Sequence, residues 1–555
     1  MNRSPETAQQ RGYEIVAHAI RDTGLTQAFG LLGDANLAAM AVAIADGLPY
    51  AGSRHESGAV CMAAGHAWAT GSVGFATITR GPALSNSLTA LTSAARDSVP
   101  LVLLAGDKYS RDPLNPQAID QEALVRPTGA EFVDVTDPAY LRSSVFRSFE
   151  LAAAKRRPVV LNIKSEMFDD PAPVQENLPP SDAQPLRDSL PEVDEDALSQ
   201  VAARLSAARR PVIVAGQGAL AALESVKDLS ERMGALLSTT LLTAGAFRGH
   251  PYSVGVSGGY AVRTARELLQ QADVVLAVGA SMNSFTTSER KLFRDAFVIQ
   301  VDRDETAIGR HHRVDIGVLG DSAEVVSRLA AEVQRSDTSL FRTPEVEARI
   351  ATGRLAADVP TLHDVAGLDP RGALRALDKW LPSERRILVD VGHFASFPCQ
   401  SLTVSRPGGI FPVFGYGSVG LSLPTAIGVA AAGTGDAVVA VVGDGGLLMS
   451  LPELETLGRL GLPLAVLVMD DSAYGAEVQH LRAQGFADLS VAQFPSTDFV
   501  GTAAALGVRG VQLKTPDQLE HLDDLLGDLD GPLLVDVRIN PAVVSDKFQQ
   551  HIDEH

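Results

Sequence analysis

The chain has 555 residues, 45% apolar and 21% charged, the balance of an ordinary globular protein rather than a disordered or fibrous one. A formal net charge of −20 without a long basic run argues against nucleic acid or an anionic membrane as partner. With only Cys61 and Cys399, neither a disulfide framework nor a cysteine-based zinc site is available.

No apolar run reaches membrane-spanning length, and Met1–Arg11 is polar, so neither a membrane segment nor a signal peptide is expected. The expected location is the cytoplasm. At this length two to four domains are expected. In chain order, strand signals fall near Ala28–Leu32, Tyr50–Ser53, Gly74–Thr79, Leu101–Ala105 and Pro158–Ile163, separated by helical patterns. A linker rich in Pro, Asp and Ser follows at Asp169–Asp196. Strands then recur at Pro211–Ala215, Val274–Val278 and Phe297–Val301, before a second polar break at Arg335–Asp369. The last set is Arg386–Val391, Val438–Val442, Leu464–Met469 and Pro532–Arg538. Alternating strands and helices make each segment α/β. The predicted fold is therefore three tandem doubly wound domains with mostly parallel sheets, at residues 1–170, 190–335 and 365–555.

Two apolar runs ending in aspartate carry the most chemistry. Val438–Asp444 runs into Gly445 and Gly446, and Pro463–Asp471 follows after one helical segment, so the pair reads as a βαβ unit. Ser450 and Glu453 have the spacing of a capping box for the intervening helix. Each strand delivers an Asp at its carboxyl end, where open α/β sheets bind ligands. Carboxylate oxygens converging beside a glycine turn and a helix start suit Mg²⁺ holding a diphosphate. A single strand-end Asp could merely cap the next element; two at this interval beside Gly-Asp-Gly point to a site.

The stretch Gly443-Asp444-Gly445-Gly446, followed by Asp471-Ser472-Ala473-Tyr474-Gly475, resembles the thiamine diphosphate signature. The resemblance extends over nearly the whole chain, to the pyruvate-oxidase-like enzymes with pyrimidine-binding, central and diphosphate-binding domains. It is nearest to acetolactate synthase large subunits. It implies that thiamine diphosphate and Mg²⁺ are the cofactors, with Asp444, Asp471 and the Ala473 carbonyl on the metal. Where the family usually has Asn, this chain has Asp471, which adds a negative charge.

Further matches follow in register. Arg54-His55-Glu56 precedes an Ala- and Gly-rich helix, Ala59–Ala69, and resembles the family's His-Glu motif. By that resemblance Glu56 engages the cofactor's aminopyrimidine, which then removes the weakly acidic thiazolium C2 proton. Read alone, Glu56 could be an exposed helix-start residue satisfying the dipole. Gly33-Asp34 resembles the family's first strand turn, and Gly81-Pro82-Ala83 its Gly-Pro-Gly loop. Gly415–Gly420, containing Gly417, Ser418 and Val419, resembles the segment that seats the cofactor. Gly392-His393-Phe394 could lie over the pyrophosphate or pyrimidine, or His393 could be a structural loop residue. In the middle segment Gly279-Ala280-Ser281 follows a strand, but no Arg-Phe-Asp-Asp signature follows, so FAD is not expected.

The reaction is read from mixed signals. Asp34 and Glu477 resemble the catalytic carboxylates of 2-oxo acid decarboxylases. The region Asn115–Glu122 lacks their tandem histidines, and Gln121-Glu122 resembles acetolactate synthases instead. An acetolactate-synthase-like carboligase fits best: it decarboxylates a 2-oxo acid and joins the acyl anion equivalent to an acceptor, with Glu56, Asp34, Gln121 and Glu477 as catalytic candidates. A non-oxidative decarboxylase, a 2-hydroxyacyl-CoA or acyloin lyase and a silent cofactor-binding regulator are the alternatives. In the resembling family each active site spans two subunits, which implies a homodimer or homotetramer.

Overall fold

Strands that are apolar without interruption become the middles of three parallel sheets, because a parallel strand is covered by helices on both faces. A computed structural model describes residues 10–108, 116–172, 193–336, 338–355 and 367–554. The first sheet comprises β1 (Ala28–Gly30), β2 (Tyr50–Gly52), β3 (Gly74–Ile78), β4 (Leu101–Asp107), β5 (Glu131–Val135) and β6 (Pro158–Lys164). The central sheet comprises β7 (Pro211–Ala215), β8 (Leu236–Thr239), β9 (Ser253–Val256), β10 (Val274–Val278), β11 (Phe297–Asp302) and β12 (Ile316–Leu319). The third comprises β13 (Arg385–Val389), β14 (Ile410–Pro412), β15 (Ala437–Gly443), β16 (Leu464–Asp470), β17 (Arg509–Leu513) and β18 (Leu533–Arg538). The three tandem α/β domains expected from the sequence are present.

Strand order locates the sites. The first sheet runs β2-β1-β3-β4-β6-β5 and the third β14-β13-β15-β16-β18-β17, the same order within each domain. The central sheet runs β9-β8-β7-β10-β11-β12. In each, the winding reverses at one point: between β1 and β3, between β7 and β10, and between β13 and β15. Loops leaving the carboxyl ends on either side of such a point diverge and open a crevice, the usual ligand position in open α/β sheets.

Six strands of the three sheets escaped the sequence reading, the interior β8 and five edge strands, while the edge strand β2 was placed. β5, β9, β12, β14 and β17 sit at sheet margins and carry fewer uninterrupted apolar residues. Gln10–Arg11 and Pro171–Ala172 form a short antiparallel pair at the entrance to the predicted linker, of which residues 173–192 lie outside the described residues. The second polar break carries a helix, Pro344–Leu355, and residues 356–366 lie outside the described residues.

The first and third domains share one core. Helix α1 (Glu56–Thr70) lies against α3 (Ser422–Ala431), while α2 (Pro82–Arg96) packs beside α1 in the first domain. Glycines let the two backbones meet: a Cβ on Gly65 would stand 2.0 Å from the Thr425 carbonyl oxygen, and one on Gly428 1.9 Å from that of Met62. The Ala- and Gly-rich composition of α1 thus serves close packing across a domain boundary.

Candidate active site

In the third domain, three neighbouring strands end in aspartate: β13 at Asp390, β15 at Asp444 and β16 at Asp470-Asp471. Asp444 opens the short helix α4 (Asp444–Met449) and is 9% exposed. Burial, followed by the charges of Asp471 and Asp470, pushes its carboxyl up to about 8. Burial and then Asp470 push Asp471 up to about 7. Asp470 itself is compensated, since Arg538 pairs with one oxygen and the Ser472 N–H donates to the other at 2.9 Å. Among the described residues neither carboxyl has an ion-pair partner, the charge of Arg538 only partly offsetting the shift of Asp471, and a cation would supply one.

The loop after Asp471 is pinned. Ser472 adopts φ 53°, the Tyr474 N–H donates to the Ala492 carbonyl at 2.9 Å, and the Phe494 N–H donates to that of Ser472 at 2.8 Å. Gly475 begins α6 (Gly475–Ala483), and a Cβ there would stand 2.5 Å from Asp471 Oδ2. The Asp444 and Asp471 carboxylates, with the Ala473 carbonyl as the expected third ligand, would make an all-oxygen donor set, which fits Mg²⁺ better than a soft metal. Among the described residues no group of three or more His, Cys, Asp or Glu side chains is placed to hold a metal, so backbone and ligand oxygens have to complete any shell here.

Two further parts frame the crevice. Asp390, which the sequence reading passed over, is fully buried, accepts from the Gly420 N–H at 2.8 Å, and is pushed up to about 7 by burial. It ties the Gly417-Ser418-Val419 segment to the end of β13, with Val419 against Gly446. The signal was present: Ile387-Leu388-Val389-Asp390 has the same apolar-run-then-Asp form as β15 and β16. His393 is also buried, with its ring edge-on to Phe397 and Phe548. Its Nε2 accepts from the Ser545 N–H at 3.1 Å, which leaves the proton on Nδ1, and that N–H has no partner. Burial holds the ring at about 4, so it is neutral near pH 7. A buried, unsatisfied donor beside Gly475 fits an acceptor oxygen of a bound diphosphate. Gly392 and Phe394 pack at the same turn, the Phe394 ring lying against Gly443.

The expected capping box is corrected. Helix α5 (Pro452–Leu460) starts with Leu451 as N-cap and no side-chain cap bond, and Ser450 Oγ turns back to the Gly446 carbonyl. Glu453 instead reaches the first domain. Its buried carboxylate accepts from the N–H groups of Arg54 at 3.1 Å and His55 at 3.0 Å and from Thr456 Oγ1 at 2.7 Å. Burial raises its pKa. Arg54 and Glu455 add a bidentate pair at the surface.

Glu453 thereby fixes the start of α1, where Glu56 stands. Glu56 is half-buried and accepts from Asn86 Nδ2 at 3.0 Å. Gly81 takes φ 53° at the start of α2. Its N–H donates to Gln121 Oε1 at 2.8 Å, while Gln121 Nε2 donates to the Gly106 carbonyl and Asn162 Oδ1. Gln121 is thus a buried brace under the Gly81 turn, and its amide is committed there. Asp34 pairs with Arg80, and Glu477 is exposed in the first turn of α6. Asn115 lies outside the described residues.

The central domain has its own crevice at the β7–β10 reversal. The loops meet so closely that a Cβ on Gly216 would stand 2.2 Å from the Gly279 carbonyl oxygen. A cavity of about 450 Å³ opens there, lined by Gln217, Ala280 and Ser281 and by Tyr260, Phe285 and Phe414. Among the described residues no helix is long and apolar enough to cross a membrane.

Sequence comparison adds independent support. Three thiamine pyrophosphate enzyme models match in order: the N-terminal TPP binding domain at residues 10–124, the central domain at 198–329 and the C-terminal TPP binding domain at 390–537. The probable acetolactate synthase large subunit of Methanocaldococcus jannaschii is 27% identical over 96% of this chain and 92% of its own. Acetolactate synthase of Bacillus subtilis is 26% identical over 98% and 97%. Sulfoacetaldehyde acetyltransferase of Castellaniella defragrans is 29% identical over 91% and 88%. With all three domains matched in order and strand-end aspartates at the crevice of the last, the chain belongs to the thiamine pyrophosphate enzymes, as an acetolactate-synthase-like member acting on carbon–carbon bonds.

Proposed function

We propose that the protein is a Mg²⁺-dependent carboligase that removes carbon dioxide from a 2-oxo acid and joins the remaining acyl unit to a carbonyl acceptor. The observation that carries this reading is the pair of the buried Asp444 and the half-buried Asp471, both with raised pKa values at a sheet crevice, the charge of Asp471 adding to the shift of Asp444. Bound thiamine diphosphate would supply a C2 carbanion that adds to a carbonyl and a cationic thiazolium ring that accepts the electron pair released by decarboxylation. Asp444, Asp471 and the Ala473 carbonyl hold Mg²⁺, and His393 Nδ1–H donates to the diphosphate. Val419 supports the cofactor from below, with Gly417 and Ser418 beside it, and Tyr474 and Gly475 close the diphosphate side. Glu56 engages the pyrimidine ring nitrogen through its carboxyl group and so promotes loss of the C2 proton. Glu477 moves protons of the substrate. Gln121 acts through the Gly81 turn and is a positioning residue. Ligation is favoured over simple decarboxylation because the relatives named as acetolactate synthase and sulfoacetaldehyde acetyltransferase cover most of their own length.

In the resembling family each active site spans two subunits, and on that reading a site containing both Glu56 and the aspartates is completed by a second copy. Exposed Tyr416, Leu448 and Met449 at the mouth of the crevice supply an apolar surface for it. A homodimer or homotetramer acting in the cytoplasm follows. Incubation with Mg²⁺, thiamine diphosphate and a panel of 2-oxo acids, followed by mass spectrometry, tests the reading. Hydroxyketone products support it, and free aldehyde alone overturns the ligase assignment. A strict monomer in sedimentation at fully active concentrations overturns the shared site.

A further inference from the structure

At the β1–β3 reversal, the first domain places an ion pair in the position that the third domain gives to its aspartates. Arg80 leaves the end of β3 and Asp34 the turn after β1, so the pair stands at the mouth of the crevice. Its two members differ sharply in environment. The Arg80 side chain is 6% exposed and that of Asp34 72%. Arg80 Nε donates to Gln117 Oε1 at 3.1 Å and one terminal nitrogen donates to Ser165 Oγ at 3.0 Å. Both acceptors are neutral. The nearby Lys164 is already paired with Asp107 and Asp134. Among the described residues Asp34, a largely exposed carboxylate, is the anion that pairs with the buried guanidinium.

A buried guanidinium without a counter-ion is strongly unfavourable, so some anion has to face Arg80 in every state. An exposed carboxylate is readily exchanged for another. The reactive end is close: α2 starts at Pro82, and Asn86, roughly 6 Å along that helix, donates to Glu56. A substrate of a few carbons bridges that interval. Chemistry then selects which substrate. An arginine on the carboxylate that leaves as carbon dioxide would hold the ground state more tightly than the charge-dispersed transition state and slow the reaction. Arg80 therefore suits an anionic group that is retained.

We infer that Arg80 anchors a non-reacting carboxylate or sulfonate on the acceptor, and that Asp34 occupies its place until that group arrives. This rests on the carboligase reading above. No bond forms or breaks at this end of the substrate; one anion replaces another.

The test uses the holoenzyme with pyruvate as donor and three acceptors: 4-oxobutanoate, 3-sulfopropanal and uncharged butanal. Arg80→Gln should raise KM for the charged acceptors by roughly 10–100-fold, the range of a hydrogen-bonded charge contact, while butanal changes less than about twofold. Arg80→Lys should recover part of the loss. Asp34→Asn, which removes the competing anion, should lower KM for the charged acceptors only. Preference for one charged acceptor tells carboxylate from sulfonate. Equal losses for charged and uncharged acceptors in Arg80→Gln would overturn the inference and leave Arg80 as a brace. Malonate provides a readout independent of turnover and of that variant's folding. It should raise the melting temperature of wild type, and more so that of Asp34→Asn; no shift in either overturns the anion site. Absence of any turnover in wild type would overturn the carboligase reading, while the malonate result would still decide the role of Arg80.

Discussion

The first and third domains wind their six strands in the same order, and each opens a crevice at the same reversal, yet the crevices carry opposite equipment. The third gathers carboxylates, Asp390, Asp444 and Asp471, with a glycine turn and a helix start. The first offers the buried Arg80 with the exposed Asp34 facing it, and Glu56 at the start of helix α1. On the proposed reading, one topology yields a cation-and-diphosphate seat in one domain and a site for a ring nitrogen and a substrate in the other. The difference lies in a few residues at strand ends, because the strands themselves are interchangeable apolar runs. Function is set by what each loop carries beyond the sheet.

The sharpest way to break that division is at Glu56. Glu56→Gln keeps the shape and the Asn86 contact but removes the acid, so hydrogen–deuterium exchange at the cofactor C2 should slow by roughly 10²–10⁴-fold. Cofactor affinity should change far less, because the diphosphate is held in the other domain. Exchange at the wild-type rate would refute the role. Next in size is Asp444→Ala, which should weaken thiamine diphosphate binding in the presence of Mg²⁺ by roughly 100-fold, the upper end of what even a residue supporting a ligand commands. Asp471→Asn retains a ligand oxygen and should bind nearly as wild type, whereas Asp471→Ala should not. Calorimetric titration separates these outcomes.

The raised carboxyls sharpen the comparison further through pH. Asp444 and Asp471 keep their protons up to about 8 and about 7 when no cation is present, well above the usual carboxylate range. Mg²⁺ has to displace those protons, so its affinity should be lowest below pH 7, rise through the interval from 7 to 8, and level off above it. The sign for stability is the reverse without metal. Groups with raised folded pKa values stabilise the fold at low pH and lose that contribution as pH rises. The melting temperature of the metal-free protein should fall from about pH 4 to about pH 8 and level off above that, and added Mg²⁺ should restore it most at the alkaline end. A metal affinity independent of pH would mean that other atoms bind the ion.

How much of this was legible depends on where each residue sits relative to the sheets. β4, β10, β15 and β16 are buried on both faces and read as unbroken apolar runs, so the three domains and the aspartates at β15 and β16 could be placed from sequence. Most of the margins could not, since β14 and β17 have one covered side and mixed composition. Local spacing also misled. Ser450 and Glu453 have the right interval for a capping box, but sequence cannot show that two unpaired N–H groups of another domain, those of Arg54 and His55, lie within reach of the same carboxylate. The unpaired His393 Nδ1–H and the brace made by Gln121 are likewise products of long-range packing, invisible to periodicity.

The contact between the two domains gives the smallest expected effects and discriminates buried from exposed charge. Glu453→Ala would leave the N–H groups of Arg54 and His55 and the Thr456 hydroxyl without their acceptor in a buried site, a loss of about 1–3 kcal/mol that thermal denaturation would register. Because those N–H groups orient the start of α1, the same variant should also slow C2 exchange, although Glu453 touches neither metal ligand. Glu453→Gln retains one acceptor oxygen and should lose less on both counts. Arg54→Ala removes the bidentate pair with Glu455, which lies at the surface where solvent screens it. Its melting temperature and exchange rate should match wild type. If Arg54→Ala slowed C2 exchange as much as Glu453→Ala, the surface pair rather than the buried carboxylate would be what holds Glu56 in place.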